Sequence, residues 1–187
     1  MIFFTNFVKA IDAITKKWYC VSTKDKENFV ETGGIMDNMN PALLVANNIL
    51  NDGFEKGYRI SPMKLQKLLY FVYKKYLQNT GKPLFDEYFE VWQHGPVLPS
   101  VYYEFKGASR GYIDRYAYFG DSVIRLVSES HEDVYAALNY VLDKYWWYSA
   151  TELSGMTHRD GTAWSQSLAR SDLYLIDDEI KDEPWYA

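Results

Sequence analysis

The stretch from Ser61 to Asn79, SPMKLQKLLYFVYKKYLQN, constrains the fold more than any other part of the chain. Ser61-Pro62 is a helix start: serine caps the free amides of a first turn, and proline has no amide to leave unbonded there. Leu65, Leu68, Leu69, Val72 and Tyr76 then recur at the spacing of one helix face, and Gly81 stops the run. A helix with that stripe has to be covered by other apolar elements, so the rest of the chain must build a core around it. Lys64, Lys67, Lys74, Lys75 and Gln78 fall on the other face and are expected as an exposed basic stripe.

Several segments can supply the cover. Pro41 to Asn51 reads as a helix capped by Asn40 and ended by Asp52-Gly53, with Leu43, Leu44, Ala46, Ile49 and Leu50 apolar. Glu132 to Tyr148 is a third strong helix that turns Val134, Ala137, Leu138, Val141, Leu142 and Tyr145 inward. Ser149 with Glu152 forms a capping box for a short helix, and Thr162 to Arg170 adds a turn or two around Trp164. Pro96 to Lys106 is expected to be helical. Tyr88 to Trp92 and the β-branched Ser122 to Ser128 read as strands that pair with each other, and Leu173 to Ile176 as a last short strand. The glycine-rich, aperiodic residues 107–121 read as a loop. The class is α+β: a predominantly helical single domain with a small antiparallel sheet.

The first residues stand apart. Phe3, Phe7, Ala10, Ile11, Ile14 and Trp18 form one helical stripe, followed by a polar stretch containing Gly33-Gly34. The chain therefore divides into an accessory amphipathic helix and linker, 1–36, and a main domain, 37–187. Lys9 and Asp12 interrupt the opening apolar run and no basic residue precedes it, so it is not expected to be a secretory signal. No stretch approaches the roughly 20 apolar residues of a membrane helix. No membrane association and a cytoplasmic location are the expectation.

Charge separates along the chain. The total is 20 bases against 25 acids, a net −5. Residues 171–187 hold six acids and one base, and so carry that −5 themselves; residues 56–82 hold seven bases and no acid. Both runs can be plain solvated faces, or the tail can fold back on the basic helix, or the basic face can meet an acidic partner. Nucleic acid is disfavoured: the net charge has the wrong sign, the helix aromatics that would stack bases include Tyr76 of the core stripe, and the two opening helices lie too far apart for a helix-turn-helix.

Gly107-Ala-Ser109-Arg-Gly111 spells a nucleophile elbow, but a charged helix end precedes it where a hydrophobic strand is needed. The single cysteine, Cys20, and the scattered His94, His131 and His158 offer no zinc ligand set, and His131 at a helix start is expected at the surface. The glycines form no phosphate loop. No catalytic residue, cofactor or metal is expected.

Three segments together resemble one family. The first is SPMKLQKLLYFVYKKYLQNTGKPLFDEYFEVWQHGPV; the second is Pro99 with the pair Tyr102 and Tyr103; the third is LSGMTHRDGTAW, with Thr157, His158 and Trp164. They are similar to the SocA-like antitoxin domain, also called Panacea, of bacterial chromosomes and prophages, which is related to the GepA proteins. The likeness spans about residues 40–180. Ala163 departs from it, since the family usually has proline before the tryptophan, and so does the N-terminal extension. The resemblance implies an antitoxin that neutralises a toxin encoded beside it by protein binding, with delivery of the toxin to an AAA+ protease as the alternative. It implies no enzyme activity. Leu65, Lys67, Tyr70, Trp92, Gly95, Pro96, Val97, Thr157, His158 and Trp164 are the family-motif residues, read as scaffold. The expected partner contacts are Lys64, Lys67, Lys74, Lys75, Tyr102, Tyr103 and Arg110, together with Phe3, Phe7 and Trp18 of the first helix.

Overall fold

The computed structural model describes residues 20–22, 40–108, 111–119, 122–126 and 131–185. Phe3, Phe7, Trp18, Ser109 and Arg110 lie outside these. Among the described residues there are seven helices: α1 (Pro41–Glu55), α2 (Pro62–Thr80), α3 (Pro99–Phe105), α4 (Glu132–Tyr145), α5 (Ala150–Thr157), α6 (Ala163–Arg170) and α7 (Asp177–Asp182). Five short strands accompany them: β1 (Cys20–Ser22), β2 (Glu90–Trp92), β3 (Gly95–Val97), β4 (Tyr118–Phe119) and β5 (Ser122–Leu126).

Helix α2 is the axis of the molecule, and α1, α3, α4, α5, α7 and β3 all pack on it. Its expected apolar stripe is buried at Leu65, Leu68, Leu69 and Val72, with Tyr76 half-buried. Burial does not stop at that stripe. Gln66, Lys67, Tyr70, Phe71, Tyr73, Lys74 and Leu77 are buried as well, so the helix is enclosed on nearly every side. The ends form as the sequence dictates: Ser61 Oγ accepts from Lys64 N–H at 3.2 Å, and Gly81 closes the helix in the left-handed region. Aromatic rings fill the space beside α2, with Tyr73 4.9 Å from Phe85, Tyr70 5.2 Å from Phe89, and Phe71 stacked 4.8 Å from Tyr145. Such pairs each contribute about 0.5–1.5 kcal/mol beyond the area they bury.

Helix α4 buries all six of its expected inward residues against this core. The Ser149–Glu152 capping box forms in both directions. Helix α1 runs one turn beyond the expected stop at Asp52-Gly53. A Cβ on Gly53 would lie 2.5 Å from Ile60 Cδ1 and 3.0 Å from Trp146, so this glycine serves close packing inside the helix rather than ending it. His131 is buried, not at the surface.

The sheets pair differently from expectation. β2 pairs antiparallel with β3, in the register Glu90 with Val97, Val91 with Pro96 and Trp92 with Gly95. β5 pairs with β4 on one side and β1 on the other. β5 cannot join β2, because residues 173–175 already bond the second edge of β2: Val91 N–H donates to Leu173 O at 3.0 Å and Leu175 N–H to Phe89 O at 2.8 Å. Pro96 accordingly belongs to a strand, and helix α3 starts at Pro99. The Gln66 side chain holds the intervening backbone extended by bonding both Leu98 N–H, at 2.9 Å, and Leu98 O, at 3.1 Å.

Candidate functional site: a clasped hairpin and a docked tail

Lys67, Tyr70, Lys74 and Gln78 follow one another at three- and four-residue steps, so they share one face of α2. Two parts of the chain lie on that face. The β2–β3 hairpin sits over its N-terminal half and the C-terminal tail over the rest.

The hairpin is held by its carbonyl oxygens. Trp164 Nε1–H donates to Trp92 O at 2.9 Å, and Ser154 Oγ–H to His94 O at 2.9 Å. His158 Nε2 stands 3.1 Å from Gln93 O, and Lys67 Nζ–H donates to Pro96 O at 2.8 Å. Four side chains from α2, the α5 end and α6 thus bond four of five successive backbone carbonyls. The His158 ring also lies 3.8 Å from the Trp164 ring. Gly95 has φ +97°, and a Cβ there would stand 2.5 Å from Thr157 Oγ1 and 2.8 Å from Lys67 Nζ, so only glycine fits. Thr157 in turn donates to Ser154 O at 2.8 Å and accepts, through its own carbonyl, from Thr162 Oγ1 at 2.8 Å.

Lys67 is fully buried, and no carboxylate among the described residues pairs with it. Burial brings its ammonium group down to about 7. The expectation of an exposed Lys67 is therefore corrected: its side chain is buried and its nitrogen is committed to the hairpin.

The tail is held at Glu183, which is buried. Its Oε1 accepts from Lys74 Nζ at 2.9 Å, and its Oε2 from the Tyr70 hydroxyl at 2.6 Å and Ala163 N–H at 3.1 Å. Lys74 Nζ also donates to Pro184 O at 2.8 Å and lies 4.4 Å from the Trp185 ring centre. Gln78 donates to Lys181 O and Glu183 O, and accepts from Trp185 Nε1 at 2.5 Å. Further along the tail, the Tyr73 hydroxyl donates to Asp177 at 2.8 Å. Lys74 is thus not surface either, because the acidic end of the chain folds back over the basic helix. Burial lowers the Lys74 pKa, and Glu183 opposes that shift.

The other motif residues divide clearly. Leu65 and Val97 are core, and Pro96 is buried in its strand. Trp92 is half-buried, its Nε1–H donating to Glu90 at 2.7 Å, and its ring meets Tyr102 edge-on at 4.7 Å. Tyr102 contacts the exposed Tyr103 at 5.5 Å. Lys64 and Lys75 remain half-exposed: Lys64 donates to Trp146 O at 2.5 Å, and Lys75 lies 4.3 Å from the Tyr140 ring centre. Glu183, Ser154 and Gln66 are the participants that sequence reasoning did not single out. The signal for Glu183 was an acid two residues before a tryptophan in a tail opposite in charge to the main helix; Ser154 and Gln66 carried none.

Among the described residues there is no group of three or more His, Cys, Asp and Glu that could hold a metal ion, and no helix long and apolar enough to cross a membrane. Fold and site together define a small helical α+β scaffold whose shared polar residues hold a hairpin and a tail in place. Residues 65–165 match the family described as "Antitoxin SocA-like, Panacea domain", and that span runs from the start of the Lys67 face to Trp164. The chain is 33% identical over 127 residues to "Antitoxin SocA" of Caulobacter vibrioides (strain NA1000 / CB15N), an alignment covering 66% of this chain and 68% of that protein. The chain belongs to the SocA-like antitoxin family. No solved structure matches it.

Proposed function

We propose that the protein is a cytoplasmic antitoxin that neutralises the toxin encoded beside it by binding it directly, without catalysis. The observation that carries this reading is the use made of the motif residues. Lys67, Ser154, His158 and Trp164 spend their polar atoms on hairpin carbonyls, which builds a rigid platform. Rigid platforms suit binding, because little ordering entropy is lost on association. The accessible aromatics Trp92, Tyr102 and Tyr103 at the platform's outer end are the contacts we assign to the toxin, since aromatic residues dominate interface energetics. Lys64 and Lys75 are secondary candidates at the half-exposed edges of α2. Docking of the tail over Lys74 weighs against a nucleic-acid regulator, because it withdraws a base that such a helix would offer to phosphates.

Co-expression with the product of the neighbouring reading frame tests the proposal. Direct neutralisation restores growth whether or not the host's AAA+ protease is present. Rescue that depends on the protease assigns the protein to toxin delivery instead, and no rescue with no co-purification refutes the antitoxin reading.

A further inference from the structure

The segment 173–175 carries an open sheet edge. Leu173 O and Leu175 N–H turn toward β2, and Tyr174 forms an antiparallel bridge with Glu90. In an antiparallel ladder this turns the N–H and C=O of Tyr174 away from β2. No bond to either group is made among the described residues. Exposed edges are ordinarily protected by lysines, prolines or bulges on the edge strand. Here the edge carries Leu173, Tyr174 and Ile176 instead, and the Tyr174 ring meets that of Tyr88 at 6.1 Å. These four residues are between 47% and 62% exposed.

Acids outnumber bases around the edge. Residues 171–180 contain Asp172, Asp177, Asp178 and Glu179 and no base, and residues 84–92 contain Asp86, Glu87 and Glu90 and no base. Arg170 lies beside the edge and is bonded to Asp172 and Glu179. A second copy of this chain would bring the same acids against themselves, whereas a positively charged chain would be drawn in. The free backbone pair calls for an extended segment, the exposed apolar side chains for alternating apolar residues in it, and the acidic border for basic ones.

We infer that the Tyr174 edge receives an extended, basic segment of the partner protein as an added β-strand, next to the paired rings of Tyr88 and Tyr174. Main-chain bonds give such a mode its affinity, and side-chain pockets on alternate residues give it specificity. This inference rests on the direct-binding reading above and places one part of that contact.

The test uses the full chain and the co-expressed product of the neighbouring reading frame. Hydrogen exchange of the Tyr174 amide is expected to slow at least about ten-fold in the complex. Tyr174→Pro, which removes the outward donor, is expected to weaken binding by about ten-fold or more, and Tyr174→Phe by less than about two-fold. Unchanged Tyr174 exchange in a complex that does form overturns the edge site and leaves direct binding standing. That measurement needs no variant, so a folding defect in Tyr174→Pro cannot obscure it. Protection of Tyr174 in the isolated chain, with a dimeric mass, overturns the proposal in favour of a second copy. No complex with the unaltered chain overturns both readings.

Discussion

The ammonium of Lys74 lies 2.9 Å from the carboxylate of Glu183, with both side chains out of solvent, although the two residues are 109 positions apart in the chain. This contact fastens the acidic C-terminal region to the central helix. Breaking one side of a buried pair leaves the other charge uncompensated, at a cost of about 3–5 kcal/mol. Glu183→Ala is expected to lower the unfolding free energy obtained from urea titration by about that amount, since Lys74, Tyr70 and Ala163 N–H all lose the Glu183 carboxylate. Lys74→Met combined with Glu183→Leu removes both charges and is expected to recover most of the loss. A double variant as unstable as the single one would contradict this account of the pair.

Ala163 donates its N–H to the same carboxylate, and the family's usual proline at this position could not do so. Thr162 has φ −73° and ψ 154°, the extended conformation preferred before proline, and position 163 opens α6. Ala163→Pro therefore loses one hydrogen bond to a carboxylate, about 1.5–3 kcal/mol, and gains about 0.4–1 kcal/mol from a stiffer unfolded chain. A net loss of about 0.5–2.5 kcal/mol is expected in urea titration. A loss as large as that of Glu183→Ala would show that the amide, rather than Lys74, holds the tail.

Gly95→Ala tests the hairpin. Its Cβ would collide with Thr157 Oγ1 and Lys67 Nζ, and its backbone lies in the left-handed region. A loss of more than about 2 kcal/mol is expected, against less than about 0.5 kcal/mol for Gly107→Ala, whose Cβ would meet nothing within 4 Å. Thermal unfolding of the two variants side by side reads the difference.

Lys67 makes stability depend on pH. Its ammonium is brought down to about 7 in the folded chain, while the unfolded lysine titrates near 10.4. Between these values the unfolded state binds more protons, so this group's destabilising effect is full below pH 7 and is relieved as pH rises toward 10. Tyr73 and Tyr145, both pushed up by burial, reverse the trend once unfolded tyrosines ionise above about pH 10. Urea midpoints measured from pH 7 to pH 9.5 should rise in the parent and rise less in Lys67→Met. Parallel profiles would remove Lys67 as the source.

The long helices were legible because a period of 3.6 over 14 or more residues is a strong signal, and α2 and α4 carry it plainly. The burial of Lys67 and Lys74 was not. Periodicity shows which helix face lacks apolar side chains, but not that a hairpin and a tail far along the chain will cover that face with carbonyls and a carboxylate. The separation of charge into a basic middle and an acidic end did carry the fold-back, and Glu183 is its concrete form. Strand pairing was misread for a related reason. Three-residue strands have almost no pattern of their own, so the local reversal at Gly95 and the bridge to Tyr174 decided the partners of β2. The structure sets Lys67, His158 and Trp164 against the hairpin. Their convergence on one run of carbonyls from Trp92 to Pro96 emerges only in three dimensions.

Removing residues 177–187 uncovers Lys74 and deletes five acids and one base, a net charge of −4. Retention on heparin at fixed salt is expected to increase for the truncated chain. Retention equal to that of the full chain would mean that the tail does not screen the basic helix.

Titration of the purified toxin with the purified full chain, in the absence of any protease, tests the central claim most directly. Direct neutralisation predicts that toxin activity falls in proportion to the antitoxin added and reaches its floor at a fixed molar ratio, with a complex of that ratio recovered by size-exclusion chromatography. Loss of toxin activity at far sub-stoichiometric amounts, growing with time, would show catalysis and contradict the account, as would full toxin activity at saturating antitoxin.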